Sequence, residues 1–352
     1  MTINVMIIDD SAVMRQTLSR VLNEAPDIQV SQTASDPVIA QLYLKREKPD
    51  VIVLDIEMPR MDGITFLQQL MASEPIPVVI CSSLTSKGCH LSVQALAAGA
   101  IDVIAKPTTG LNNFIIESQQ KFWQAVRTAA RVRSRAMVAK PPAPALAQAQ
   151  STAWVTRAGT TDYVIAIGTS TGGTQALELV LSQLPRTTAG IVIVQHMPEK
   201  FTTEFAKRLN TLSELDVLEA QGGERVIPGR ALLAPGGCHL EVIRSGAQFV
   251  ARVFRGPSVN RHCPSVDVLF NSVASNVGRS ATGVIMTGMG DDGAKGLLKM
   301  KNCGADTIAQ DEQSSIVFGM PREAISLGAA NTVCSLQAMA QAIHQSAQRR
   351  QR

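Results

Sequence analysis

The chain has 352 residues, with 33 Lys plus Arg against 29 Asp plus Glu and a formal net charge of +4. At about 150 residues per domain this length predicts two domains, and a hydrophobic content of 45% excludes global disorder. Aromatic residues are 4% of the chain, too few for the stacking platforms of a single-strand nucleic-acid binder. The opening residues, Met1 to Asp10, lack a basic region and turn acidic at once, so no signal peptide is expected. No apolar run approaches the roughly 20 residues of a membrane helix, so no membrane insertion is expected. The six cysteines, at 81, 89, 238, 263, 303 and 334, form no C-x-x-C pair and read as reduced thiols of a cytoplasmic protein.

In chain order, Val5–Ile8, Val51–Leu54 and Val78–Cys81 are short apolar runs, as expected of strands covered on both faces, and Ile101–Ala105 reads as a fourth strand. Between them lie helical stripes, Met14, Leu18, Val21 and Leu22 first, then Ile64, Leu67, Leu70 and Met71. This alternation predicts a doubly wound α/β domain over 1–125. Polar residues cluster where its strands end: Asp9 and Asp10 after the first, Asp55 after the second, Ser82 after the third and Lys106-Pro107 after the fourth. Ligands of parallel α/β sheets sit at that edge. Three carboxylates meeting there call for a hard cation such as Mg²⁺, and a hydroxyl with an ammonium suits phosphoryl oxygens.

Residues 118–161 contain no acid and seven bases, Lys121, Arg127, Arg131, Arg133, Arg135, Lys140 and Arg157. A helix over Phe114 to about Ala136 is followed by the Pro/Ala/Gln run 141–150, so 126–160 reads as a linker. Outside the acid-free stretch, 26 basic residues face 29 acidic ones, so no basic domain surface for nucleic acid is expected.

From 161 to 348 the same pattern predicts a second, larger α/β domain. Its strands are Tyr163–Ile167, Ile191–Val194, Ala231–Leu233, Phe249–Phe254, Gly283–Met286 and Thr307–Ala309. Its helices are Thr174–Leu184, Phe201–Leu209, Val266–Val277, Gly293–Met300 and Leu336–Ser346. The loop Gly168-Thr169-Ser170-Thr171-Gly172-Gly173 fits a G-x-S-x-G turn that presents a serine, an anion-binding loop, or a plain turn. It lacks the G-K-[ST] ending of a P-loop. His196 ends the next strand, and Asp291-Asp292 follow Gly283–Met286. A nucleophile, a base and an orienting acid are thus offered at strand ends, in the order Ser, His, Asp rather than the Ser, Asp, His of α/β-hydrolases.

Two resemblances gather these residues. Asp9-Asp10, Asp55-x-x-Met58-Pro59 with Asp62-Gly63, Ser82 and Lys106-Pro107 resemble a two-component response-regulator receiver domain. Ile167 to Thr174, Gln195-His196-Met197-Pro198, Asn260-Arg261-His262, Pro264-Ser265-Val266-Asp267 and Thr287 to Gly293 resemble the chemotaxis protein-glutamate methylesterase family, as do Ile308-Ala309-Gln310 and Phe318 to Arg322. The resemblance implies a flavodoxin-like receiver and a larger, Rossmann-like methylesterase domain. In the receiver it implies Asp55 as phosphoryl acceptor, Mg²⁺ on Asp9, Asp10, Asp55 and the Glu57 carbonyl, and Ser82 and Lys106 as readers of the phosphorylated state. In the second domain it implies a Ser170, His196 and Asp292 triad, an oxyanion contact from the Met289 amide, and Thr171 and His262 in support, with no cofactor. The implied substrates are glutamate methyl esters and specific glutamines of methyl-accepting chemotaxis receptors. The implied phosphodonor is the chemotaxis histidine kinase, and the implied receiver is a lid that phosphorylation loosens. A monomer that binds no nucleic acid is expected; a DNA-binding output would show a basic recognition helix, for which the second half offers no candidate. Two residues depart from the family pattern: Asp291 stands where Asn is expected and invites competition for the histidine, and Thr169 replaces a small Ala, a packing change.

Overall fold

The computed structural model describes residues 2–58, 61–106, 111–136 and 163–350; Pro59, Pro107 and the 141–150 run of the expected linker lie outside them. The chain divides into two compact units, Met1–Ala143 and Pro144–Arg352. No helix among the described residues is long and apolar enough to cross a membrane.

In the first unit, strands and helices alternate as β1 (Ile3–Ile8), α1 (Ala12–Asn23), β2 (Ile28–Ala34), α2 (Pro37–Leu44), β3 (Val51–Leu54), α3 (Gly63–Ser73), β4 (Val78–Ser82), α4 (Ser86–Ala97), β5 (Asp102–Ala105) and α5 (Leu111–Ala136). The sheet is parallel, in the flavodoxin-like order β2-β1-β3-β4-β5. β3 and β4 are buried at every position because helices cover both faces. On α1, Leu18, Val21 and Leu22 are buried as the stripe predicts. On α3 the buried face is Gly63, Phe66, Leu67 and Leu70, so Phe66 takes the place expected of Ile64 and Met71. Strand β2 alternates buried and open residues and escapes a search for wholly apolar runs.

The expected boundary at residue 125 falls inside α5. Val126 and Ala129 are fully buried in the same core as Phe122, Val53 and Cys81, so the first unit's packing extends past that point. Val126→Asp in the full chain is expected to destabilise the first unit by several kcal/mol, on the order of the cost of an unpaired buried charge. Calorimetric unfolding that left the midpoint unmoved would contradict this packing.

The second unit runs β6 (Val164–Thr169), α6 (Gly173–Gln183), β7 (Gly190–Gln195), α7 (Phe201–Leu212), β8 (Asp216–Glu219), β9 (Arg230–Leu233), β10 (His239–Ser245), β11 (Gln248–Phe254), α8 (Val266–Asn276), β12 (Ala281–Ile285), α9 (Ala294–Asn302), β13 (Asp306–Gln310), α10 (Met320–Ser326), β14 (Thr332–Cys334) and α11 (Leu336–Arg350). Seven strands form a parallel sheet in the order β14-β13-β12-β6-β7-β9-β8. The expected strand Phe249–Phe254 is not in this sheet: it pairs antiparallel with β10 as a separate hairpin. Its alternating burial fits a ribbon with one open face rather than a doubly covered strand. The order places β6 between β12 and β7, the switch point where the crevice of a doubly wound sheet opens.

Candidate functional sites

At the carboxyl edge of the first sheet, Asp9 and Asp55 are buried and Asp10 is exposed, and oxygens of all three carboxylates lie within 4.8 Å of one another. Lys106 Nζ reaches between two of them, 2.8 Å from Asp9 Oδ2 and 2.7 Å from Asp55 Oδ2. Burial pushes the Asp55 carboxyl up and outweighs the Lys106 ammonium; Asp9 adds to the rise. Burial would lower Lys106, but its bonds to Asp55 and Asp9 hold it at about 12. Three carboxylates and one ammonium leave about two negative charges among oxygen donors, which fits a divalent hard cation. Asp9 Oδ1 accepts from the Ser11 N–H at 2.9 Å, and Asp55 Oδ1 from the Glu57 N–H at 3.2 Å. Arg15 Nη1 donates to the carbonyls of Asp9 and Asp10 at 2.7 and 3.1 Å, a contact sequence spacing did not single out. Ser82 is fully buried and its hydroxyl donates to the Gly88 carbonyl on α4 at 3.2 Å, turned to that helix rather than to the acids. The Glu57 carboxylate accepts from Ser83.

On the second sheet the three predicted residues come from neighbouring strand ends. Thr169 of β6 pairs with Gln195 of β7, and Ile285 of β12 with Gly168 of β6. Ser170 and His196 therefore each follow a paired position, and Asp292 lies beyond β12. Gly172 adopts a φ of 77°, the left-handed turn that admits the chain into α6. Ser170 is 8% exposed, and its N–H donates to the Thr287 carbonyl at 3.0 Å. Thr171 lies beside it, its carbonyl accepting from Thr287 Oγ1 at 2.9 Å. Met289 is half-buried in the loop after β12, where the Gly288 carbonyl accepts from the Gly319 and Met320 N–H groups.

His196 Nε2 lies 2.9 Å from Asp292 Oδ2, and Nδ1 is buried with no hydrogen-bond partner among the described residues. His262 stacks on the same ring, centroids 3.7 Å apart and planes within 5°. Asp292 is 1% exposed yet well solvated by the protein. Oδ1 accepts from Asn260 Nδ2 at 2.9 Å, Ser265 Oγ at 2.8 Å and the Asp267 N–H at 3.2 Å; Oδ2 also accepts from the Val266 N–H at 2.7 Å. Burial would raise this carboxyl, but the bond and charge of His196, with Asn260 and Ser265, bring it down to about 2. Its ionised form thus stabilises the fold above the ordinary 3.8, and that contribution is lost as pH falls through about 2. Wild type and Asp292→Asn should converge in unfolding midpoint between pH 4 and pH 2; parallel curves would refute the shift.

Asn260, Ser265 and Asp267 sit in quoted motifs, but the sequence did not reveal their tasks. Asn260 and Arg261 have φ of 50° and 69°, and the N–H of each of Val259 and His262 donates to the carbonyl of the other. This is a two-residue hairpin turn of type I′, for which Asn is suited. Asn260 also donates to Asp267 Oδ2 at 2.7 Å, so one amide ties the turn to two buried acids and presents His262 to His196. The anticipated rivalry from Asp291 does not arise: Asp291 is exposed and Asp292 takes the histidine. Thr169 does more than pack, since its hydroxyl donates to Gln195 Oε1 at 2.5 Å.

A doubly wound sheet edged with acids, and a second parallel sheet edged with serine, histidine and aspartate, define a two-domain protein that pairs a receiver-type unit with a hydrolase-type unit. A family model described as response regulator receiver domain matches residues 5–113, and one described as CheB methylesterase matches residues 165–343. The chain is 58% identical to protein-glutamate methylesterase/protein-glutamine glutaminase 2 of Chromobacterium violaceum, over 97% of this chain and 99% of that one. It is 56% identical to the protein of the same name from Pseudomonas syringae pv. tomato, over 97% and 98%. The crystal structure of the Thermotoga maritima CheB methylesterase catalytic domain matches with a TM-score of 0.52 at 36% identity, covering 53% of this chain and 99% of that one. The chain belongs to the CheB methylesterase family.

Proposed function

We propose that this chain is a cytoplasmic, phosphorylation-regulated enzyme of chemotaxis that demethylates glutamate methyl esters and deamidates specific glutamines on methyl-accepting receptors. One observation carries the catalytic reading: His196 gives Nε2 to an ionised Asp292 and keeps Nδ1 buried and unpartnered at the strand end beside Ser170. A buried, unsatisfied ring nitrogen is costly unless it is used. In this reading Nδ1 takes the Ser170 Oγ proton as Oγ bonds to the side-chain carbonyl carbon of the substrate. The same proton then leaves with methanol, or with ammonia from a glutamine. Water repeats the cycle on the acyl-enzyme and releases the glutamate. Asp292 balances the imidazolium while it exists, the Met289 amide faces the oxyanion, and Thr171 and His262 hold the site in shape.

In the first unit, Asp55 accepts a phosphoryl group from the chemotaxis histidine kinase. Asp9, Asp10, Asp55 and the Glu57 carbonyl would hold Mg²⁺, which when bound offsets the negative charge gathered during transfer. Lys106 stays protonated to pair with the phosphoryl oxygens, and Ser82 turns from Gly88 toward them. The segment that follows α5, up to residue 160, serves as the tether through which phosphorylation regulates the esterase. Methanol release from methylated receptor membranes tests the whole reading. Release should occur without a phosphodonor and rise when one is added; a chain that released none under either condition would overturn it.

A further inference from the structure

The end of the β6–β7 ladder holds a device that the triad does not account for. Thr169 and Gln195 are register partners on parallel strands, so their side chains share one face of the sheet. The His196 N–H donates to the Thr169 carbonyl at 3.1 Å, and beyond that bond the two backbones part toward α6 and α7. Ser170 and His196 both lie on the far side of the parting. The Gln195 amide spans it. Nε2 donates to the Ser170 carbonyl at 2.9 Å and to the His196 carbonyl at 3.0 Å, one on each strand. Oε1 accepts from Thr169 Oγ1 at 2.5 Å, which fixes the amide's orientation and leaves both N–H donors pointing forward. Gln195 is 3% exposed and Thr169 fully buried, so water is a poor substitute for any of these bonds.

Space around the amide is also reserved for it. A Cβ on Gly173 would lie 2.2 Å from Gln195 Oε1 and 2.6 Å from Thr169 Cβ. The glycine at the start of α6 is thus the floor on which the amide rests.

We propose that Thr169 and Gln195 are positioning residues: a buried hydroxyl–amide clamp that replaces the missing ladder bonds and sets the Ser170 backbone against the His196 backbone. The clamp acts through the nucleophile and base without touching substrate, and it rests on the esterase reading above. Thr169 in this chain supplies the hydroxyl that an alanine at the same place lacks. Freed from it, the amide can rotate and exchange its donors for its oxygen, which would then repel the two carbonyls.

The experiment measures methanol release from methylated receptor membranes and hydrolysis of a small ester, p-nitrophenyl acetate, across pH, with thermal unfolding in parallel. Gln195→Met keeps the volume and removes every bond; it should lower kcat about 100-fold with KM nearly unchanged, the size of loss that a misplacement of roughly 1 Å produces. Thr169→Ala should lower kcat about tenfold, and Thr169→Ser should restore it. Gly173→Ala, which pushes on the amide without removing it, should resemble Thr169→Ala. The residual rate of each slow variant should climb with pH more steeply than wild type, because hydroxide takes the proton that the base no longer reaches well. Wild-type kcat and pH profile in Thr169→Ala and Gln195→Met, with a lowered unfolding temperature alone, would overturn the clamp and leave a structural hydrogen bond. Should Gln195→Met fail to fold, the Thr169→Ala and Thr169→Ser pair decides. A wild-type chain inactive on both substrates would instead overturn the esterase reading.

Discussion

Ser170→Ala should lose methanol release from methylated receptors by about 10⁶-fold in kcat, the scale seen when a triad nucleophile is removed. The loss is expected to be chemical rather than structural. Ser170 Oγ makes no hydrogen bond among the described residues, and its packing rests on backbone bonds that alanine keeps: the N–H to Thr287, and the carbonyl to Gly173 and Gln195. Unfolding temperature should therefore stay within a degree or two, while labelling by a serine-directed acylating reagent disappears. Phosphoryl uptake at Asp55 should be unaffected. Residual hydrolysis near the wild-type rate would sink the assignment of the nucleophile.

Asp55→Asn should abolish phosphoryl uptake and the stimulation that follows, with unstimulated demethylation retained. Asn matches Asp in shape but offers a neutral amide to the phosphorus. It also alters pH dependence in a defined direction. Burial and Asp9 raise the Asp55 pKa above the ordinary 3.8, so its protonated form favours the fold at low pH and that contribution is lost as pH rises through the raised value. The variant removes this penalty, and the first unit should lose less stability than wild type between pH 4 and neutrality. Phosphodonor-stimulated methanol release in Asp55→Asn would show that another residue accepts the group.

The parallel sheets and most of their helices were legible because doubly covered strands such as β3, β4 and β7 are buried at every position and apolar up to the Ser82 and Gln195 that end the latter two. Strands that break this rule were lost: β2 and β8 alternate, β10 belongs to a hairpin with one open face, and β14 has three residues. The helix α5 was legible as one ending the first domain, but not the burial of its residues beyond 125, which depends on Val126 and Ala129 meeting β3 and β4 in space. The Ser, His and Asp of the second sheet were legible as candidates at strand ends, and the family resemblance joined them into a proposed triad. Their support was not legible. Asn260 is ordinary in sequence, and its value comes from a left-handed turn that aims one amide at two acids 7 and 32 residues away. Ser82 was placed at the correct edge, yet its rotamer depends on the Gly88 carbonyl of the next helix.

The spread of the hydrolase-type edge along the chain bears on how this protein acquires activity. His196 and Asp292 are 96 residues apart, and Asn260, Ser265 and the hairpin lie between them. Closing such separations carries an entropy cost that grows with loop length and slows folding. Ser170 and His196 emerge early on adjacent strands, but the histidine has no counter-charge until β12 has inserted on the other side of β6. During synthesis, hydrolysis should begin only after residue 292 has left the ribosome. During refolding, the return of esterase rate should lag the return of helical signal. Hydrolysis is thus a late clock for the second unit, and a nascent or truncated chain that stops short of Asp292 should not demethylate.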